Sequence, residues 1–120
     1  WGSSYTAGDI IGCAVDLDNN KIYFSKNGTW QESGDPTSGS TGTGSAFDLI
    51  APVSGFYHPS IGKEASSTAT WSMNFGNGYF GTTAITTNSG NGYAGAEGAS
   101  KFNYTVPTGY SALSTKGLNE

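Results

Sequence analysis

The clearest pattern along the chain is an alternation of apolar and polar positions between Ile11 and Phe24. Ile11, Cys13, Val15 and Leu17 share one parity, and Ile22 and Phe24 share one parity in the run that follows. A period of two over this length predicts half-buried β-strands. Between the runs stand Asp18, Asn19 and Asn20, whose short side chains bond nearby backbone and tolerate left-handed geometry. Asn27-Gly28 follows, a strong hairpin signal because both residues accept positive φ. The pattern therefore predicts an antiparallel hairpin with Ile11, Cys13, Val15, Leu17, Ile22 and Phe24 on its buried face, and a second tight turn at Asn27-Gly28.

Weaker patterns continue the reading. Phe47-Asp48-Leu49-Ile50 is a short apolar run stopped by Pro52, and residues 55–62 read as a strand at an edge or bulge, since Pro59 lacks a ladder donor. Thr70-Trp71-Ser72-Met73-Asn74-Phe75 alternates cleanly and predicts a strand with Trp71, Met73 and Phe75 inward. Phe102, Tyr104 and Val106 alternate before a Pro107-Thr108-Gly109 turn, and residues 110–114 could form a last strand. Two stretches lack periodicity. Residues 32–46 are Gly, Ser, Thr and Pro, the composition of a mobile surface loop, and residues 76–100 form a long Gly/Asn/Thr/Ala segment. No window carries apolar residues at helical spacing, so an all-β class is expected.

Composition fits one domain spanning residues 1–120, with aromatics at 13% to build a core and charged residues at only 12%. The net charge is −4, from five Lys and no Arg against nine Asp and Glu. Without a basic footprint to displace counterions, nucleic-acid binding is not expected, and anionic membranes are disfavoured for the same reason. No apolar run approaches the ~20 residues of a membrane helix, and no signal-peptide pattern is present. Cys13 stands alone and lies on the apolar parity, which predicts a buried free thiol and leaves the redox compartment open.

Several motifs suggest chemistry and weaken on inspection. Residues 76–81 and 90–95 both match G-x-G-x-x-G, but neither is followed by helical spacing, so paired glycine turns explain them better than a dinucleotide site. Asp16-x-Asp18-x-Asn20 opens like a calcium loop, but Lys21 and Asn27 occupy the places that need Gly and Glu. His58 is the sole histidine, sits beside Pro59, and has no nucleophile elbow to serve; a zinc site with Cys13 is not credible. Asp9, Asp16 and Asp18 could supply paired carboxylates for glycoside hydrolysis, though the turn accounts for the latter two. Asn27-Gly28-Thr29 and Asn103-Tyr104-Thr105 are glycosylation sequons, the first already explained by its turn. No catalytic set, metal set or cofactor site emerges. What remains are aromatics outside the strand pattern: Trp30 at a hairpin exit, and Tyr79, Phe80 and Tyr93 in Gly-rich loops. Aromatic faces stack on sugars and anchor protein interfaces, so these four are the candidate binding residues; folding back over the core is the alternative.

Gly8-Asp9-Ile10-Ile11-Gly12, then Asp16-Leu17-Asp18, Ile22-Tyr23-Phe24-Ser25 and Asn27-Gly28, resembles the central signature of the SPRY domain. Phe56-Tyr57-His58-Pro59-Ser60-Ile61 resembles a later strand of that family, with His58 intruding before the proline, and Trp71-Ser72-Met73-Asn74-Phe75-Gly76 resembles its closing strand. Residues 102–116 are similar to the ends of SPRY-containing bacteriophage proteins. The resemblance implies an antiparallel β-sandwich of the concanavalin-like jelly-roll type that binds through loops. Only seven residues precede Gly8, so it also implies a sandwich incomplete at the N-terminus, completed by upstream residues or by another subunit. The expected role is a non-enzymatic module of a phage virion protein, a tail fibre or a head or tail decoration, exposed on the virion surface. Its partners would be other virion subunits or a host-surface protein or glycan. The alternatives are a carbohydrate-active enzyme or lectin of the same sandwich class, and a purely structural role between subunits.

Overall fold

The computed structural model describes residues 2–62, 68–85, 98 and 100–113. Its regular structure is all β, with strands paired antiparallel: β1 (Ile11–Asp16), β2 (Lys21–Lys26), β3 (Thr29–Trp30), β4 (Phe47–Asp48), β5 (Tyr79–Phe80) and β6 (Thr83–Ala84). One sheet runs β1-β2-β3, with β4 also on β2, and a separate ribbon pairs β5 with β6.

The hairpin forms where the alternation places it. Cys13 stands across from Phe24 and Val15 across from Ile22. The first turn is tied by Asp16, whose Oδ1 accepts the Asn19 N–H at 3.0 Å and whose Oδ2 accepts the Asn19 side-chain amide at 2.8 Å. Asn20 closes it at φ 57°. The second turn has Asn27 at φ 49° and Gly28 at φ 82°, the two positive angles that match the twist of a tight hairpin. Gly28 is required for a further reason, because a Cβ there would lie 2.5 Å from the Tyr104 ring.

The buried face is the opposite one from that expected. Ala14, Tyr23 and Ser25 are buried, Tyr23 to 1% exposure, whereas Ile11, Cys13, Val15 and Leu17 are exposed and Ile22 and Phe24 half-buried. The cause lies in residues 32–46, which pack across the hairpin as a structured cover. Short 3-10 turns at Gln31–Ser33 and Gly39–Thr41 fold this stretch back on itself. Asp35 donates its N–H to the Thr43 carbonyl, and Ala46 donates to the Ile22 carbonyl. Gly34 and Gly44 meet so closely that a Cβ on Gly44, at φ +60°, would fall 2.5 Å from the Glu32 carbonyl oxygen. The glycine content that reads as mobility is what allows this backbone to close over Tyr23. The tail fastens the cover, as the Tyr110 hydroxyl donates to the buried Pro36 carbonyl at 2.8 Å.

Other expected strands are shorter or missing. The apolar run at 47–50 contributes only β4, residues 55–62 are irregular and exposed, and residues 70–75 join no sheet. Trp71, Met73 and Phe75 are exposed rather than inward. Residues 110–113 are irregular, and residue 114 lies outside the described residues. Within 76–100, Gly76, Gly78 and Gly81 all take positive φ, the first two ahead of the β5–β6 ribbon and the third in its turn, so the first G-x-G-x-x-G builds a hairpin and no helix N-terminus. The second, at 90–95, lies outside the described residues.

Candidate functional site

The residues that carry the strand signature converge at the mouth of the hairpin. Asp9 lies just before β1, and Asn27 in the turn after β2. The Asn27 side chain donates to Asp9 Oδ1 at 2.7 Å, its Oδ1 accepts the Ile10 N–H at 2.9 Å, and its own N–H reaches the Ile10 carbonyl at 2.8 Å. Asp9 Oδ2 also accepts the Thr6 N–H at 2.8 Å and the Lys26 ammonium at 3.0 Å. Lys26 in turn donates to the Ser4 carbonyl at 2.7 Å, which binds the leading segment to the hairpin.

These contacts set the chemistry of Asp9. The Thr6 backbone bond above all, then the Asn27 amide and Lys26, hold its carboxyl well below the usual carboxylate range. A carboxylate kept ionised in this way cannot act as a general acid near neutral pH. Asp16 is committed to its turn, and Asp35 is lowered by the Thr37 hydroxyl and N–H. The Asn27 amide is likewise spent, so a glycan on that sequon would have to break the Asp9 contact. His58 is exposed and stands 6.5 Å from the Phe56 ring centroid. Cys13 is on the surface rather than fully buried, and the partial loss of its hydration pushes the thiol up to about 11. Beneath the cover, burial raises the Tyr110 phenol to about 12, with the charges of Asp16, Tyr23 and Asp35 adding to it. Among the described residues, no group of three or more His, Cys, Asp or Glu is placed to hold a metal ion. Among them, too, no helix is long and apolar enough to cross a membrane.

The candidate aromatics fall in different places. Trp30 ends β3 and is half-buried, across from Ser25. Tyr79 and Phe80 form β5, with Tyr79 47% exposed and Phe80 half-buried. The Asn77 side chain accepts the Tyr79 N–H at 3.2 Å, and Ile85 donates to the Gly78 carbonyl at 2.9 Å, so the ribbon presents Tyr79 from a closed turn. Trp30 belongs to the main sheet and Tyr79 and Phe80 to the separate ribbon, and no described ring contact joins them. Tyr93 lies outside the described residues. Sequence reasoning passed over a second aromatic group: Tyr5 and Trp71 meet edge-on with centroids 5.8 Å apart, both exposed. The parity of Trp71 pointed inward, and nothing local signalled Tyr5.

No protein-family model matches the chain, and no solved structure matches it. Among curated proteins, the chain is similar to the E3 ubiquitin-protein ligase RKP of Arabidopsis thaliana, at 36% identity over 78 residues. The match takes in 63% of this chain and spans 5% of the length of that protein.

Proposed function

We propose that this chain is a non-enzymatic binding module of the SPRY type, a β-sandwich that works by contact with a protein partner. The observation that supports the reading most is the commitment of Asp9, Asn27 and Lys26, the polar residues of the signature region, to locking the hairpin mouth. That leaves contact to the aromatic side chains, of which Tyr79 is the one presented outward on a turn-closed ribbon. Similarity confined to a small part of a much longer plant protein fits a unit carried within larger chains; the ligase activity of that protein is not carried over. The setting we propose is a phage virion protein, with the module on the virion surface, on the strength of residues 102–116 alone. The partner is then another virion subunit or a host-surface protein.

The test is affinity capture by the full chain, with Tyr79→Ala and Phe80→Ala as variants and a glycan array in parallel. An interface anchor of this kind contributes about 1.4 kcal/mol or more, so Tyr79→Ala is expected to weaken capture of the partner at least about tenfold. Its urea midpoint should fall only slightly, in line with the roughly 1 kcal/mol that a half-exposed side chain contributes. Capture unaffected by either variant would refute the assignment of the contact, and binding on the glycan array alone would replace the protein partner with a sugar.

A further inference from the structure

Leu49 is fastened to the hairpin, its N–H donating to the Asn20 carbonyl at 2.8 Å, and Trp71 is fastened to the leading segment through Tyr5. Between them, the described residues 50–62 hydrogen-bond only with one another. Gly55 donates its N–H to the Pro52 carbonyl at 3.1 Å and the Tyr57 hydroxyl donates to the Ile50 carbonyl at 2.7 Å, which closes a turn with Val53 near its tip. Every residue from 50 to 62 except Pro52 is exposed. Phe56, at 63%, is the most exposed aromatic side chain among the described residues, and Tyr57 beside it is 43% exposed.

These are the properties an endopeptidase needs in its substrate. Its cleft takes the chain as an extended strand, so the segment must give up its own bonds first. That opening is cheap where a segment is exposed and uncoupled from the core, and such loops are the preferred places for nicking. The other exposed aromatics stand on chain that is tied down. Phe47 lies in β4, paired with β2, and Tyr79 lies in β5, paired with β6. Tyr5 sits between Ser4, bonded to Lys26, and Thr6, bonded to Asp9. Between Trp71 and Phe75, the Asn74 side chain donates to the Lys101 carbonyl at 3.0 Å and accepts the Gly76 N–H at 2.7 Å.

We propose that residues 50–62 are a cleavage site for an endopeptidase whose pocket takes an aromatic side chain, that the cut falls at Phe56–Tyr57, and that the cut chain stays one folded particle. Water adds across the peptide bond, its hydroxyl to the Phe56 carbonyl carbon and a proton to the Tyr57 nitrogen, so the new ends are a carboxylate and an ammonium, both in solvent. Residues 1–56 keep the hairpin and its cover whole, and residues 57–120 keep the β5–β6 ribbon and the tail. The two pieces are joined by the Tyr110 hydroxyl on the Pro36 carbonyl at 2.8 Å, by the Tyr104 ring against Gly28, and by Tyr5 against Trp71. None of these contacts passes through the cut. This inference stands whether or not the binding-module reading holds.

The experiment is limited digestion of the full chain with chymotrypsin under native conditions, the fragments being identified by mass and then run on a sizing column. The first cut is expected after Phe56, with 1–56 and 57–120 eluting together at the volume of the uncut chain and parting only in denaturant. Measured against a short peptide substrate, its rate should not change with urea below the unfolding transition, because the opening is local. Phe56→Ala combined with Tyr57→Ala should slow the cut by about tenfold or more, since the enzyme's pocket loses its side chain, while Phe47→Ala should leave it unchanged. A native chain that resists enzyme levels which readily cut the unfolded chain overturns the proposal. So does a first cut at another aromatic, a rate that rises with urea in step with global unfolding, or fragments that separate without denaturant.

Discussion

Which face of the hairpin holds the fold together is decided by comparing Tyr23→Ala with Leu17→Ala. Tyr23 is 1% exposed beneath residues 32–46, and Leu17, on the parity that reads as core, is 59% exposed. Removing a buried aromatic ring costs about 3–5 kcal/mol, a large share of the roughly 5–15 kcal/mol that holds a domain folded. Full burial of a leucine contributes about 1.5–3 kcal/mol, so at its observed exposure Leu17 contributes roughly 1 kcal/mol. Tyr23→Phe separates the ring from its hydroxyl. The Tyr23 hydroxyl lies 3.3 Å from Ser38 Oγ, which also donates to the Asp35 carbonyl at 2.7 Å and accepts the Thr43 N–H at 2.9 Å. Ser38 therefore keeps two partners without the phenol, and the cost should fall in the lower half of the usual 0.5–1.5 kcal/mol, about 0.5 kcal/mol. The assay is urea unfolding of the full chain, comparing midpoints at constant m. The expected order of loss is Tyr23→Ala, then Leu17→Ala, then Tyr23→Phe. If Leu17→Ala costs as much as Tyr23→Ala, residues 32–46 do not cover the hairpin and the assignment of its buried face is wrong.

Three further outcomes are expected. Gly44→Ala, which puts a Cβ on a left-handed backbone and 2.5 Å from the Glu32 carbonyl, should lower stability by about 1–3 kcal/mol in the same urea assay. Asp9 has a folded pKa below its unfolded value, so its stabilisation is present above about pH 4 and is lost as pH falls through the folded value; Asp35 shares that direction. Asp9→Asn should accordingly flatten, though not abolish, the fall in urea midpoint between about pH 5 and pH 2. Asp48→Ala breaks the ion pair with Lys21, but Asp48 is 73% exposed, so a loss of less than about 1 kcal/mol, shrinking further in salt, is expected from denaturation at two ionic strengths.

The candidate site was legible in proportion to how local its causes are. The spacing of Asp9 and Asn27 brings them together because a six-residue strand, a four-residue turn and a second six-residue strand return the chain to its start. The positive φ of Gly76, Gly78 and Gly81 gives the turns there, but that Tyr79 and Phe80 form a strand and not a loop was set by their pairing with Ala84 and Thr83. The pairing of Tyr5 with Trp71 was not legible, because it joins residues far apart in sequence with no strand between them to set a register. Trp71, Met73 and Phe75 show the same limit: alternation gives them one face but does not supply a neighbouring strand.

By itself the sequence determined the all-β class, the hairpin and both of its turns. These follow from period-two alternation and from Asx and Asn-Gly backbone preferences, which act over a few residues. Only the tertiary structure decided which side of that hairpin is inside. Alternation makes the two faces different without saying which one the rest of the chain will cover. That choice belongs to contacts made at long range: Gly34 against Gly44, Ser38 against Tyr23, and Tyr110 reaching back to Pro36. They close a polar, glycine-rich stretch over a tyrosine and leave the more apolar face of the strand pointing outward.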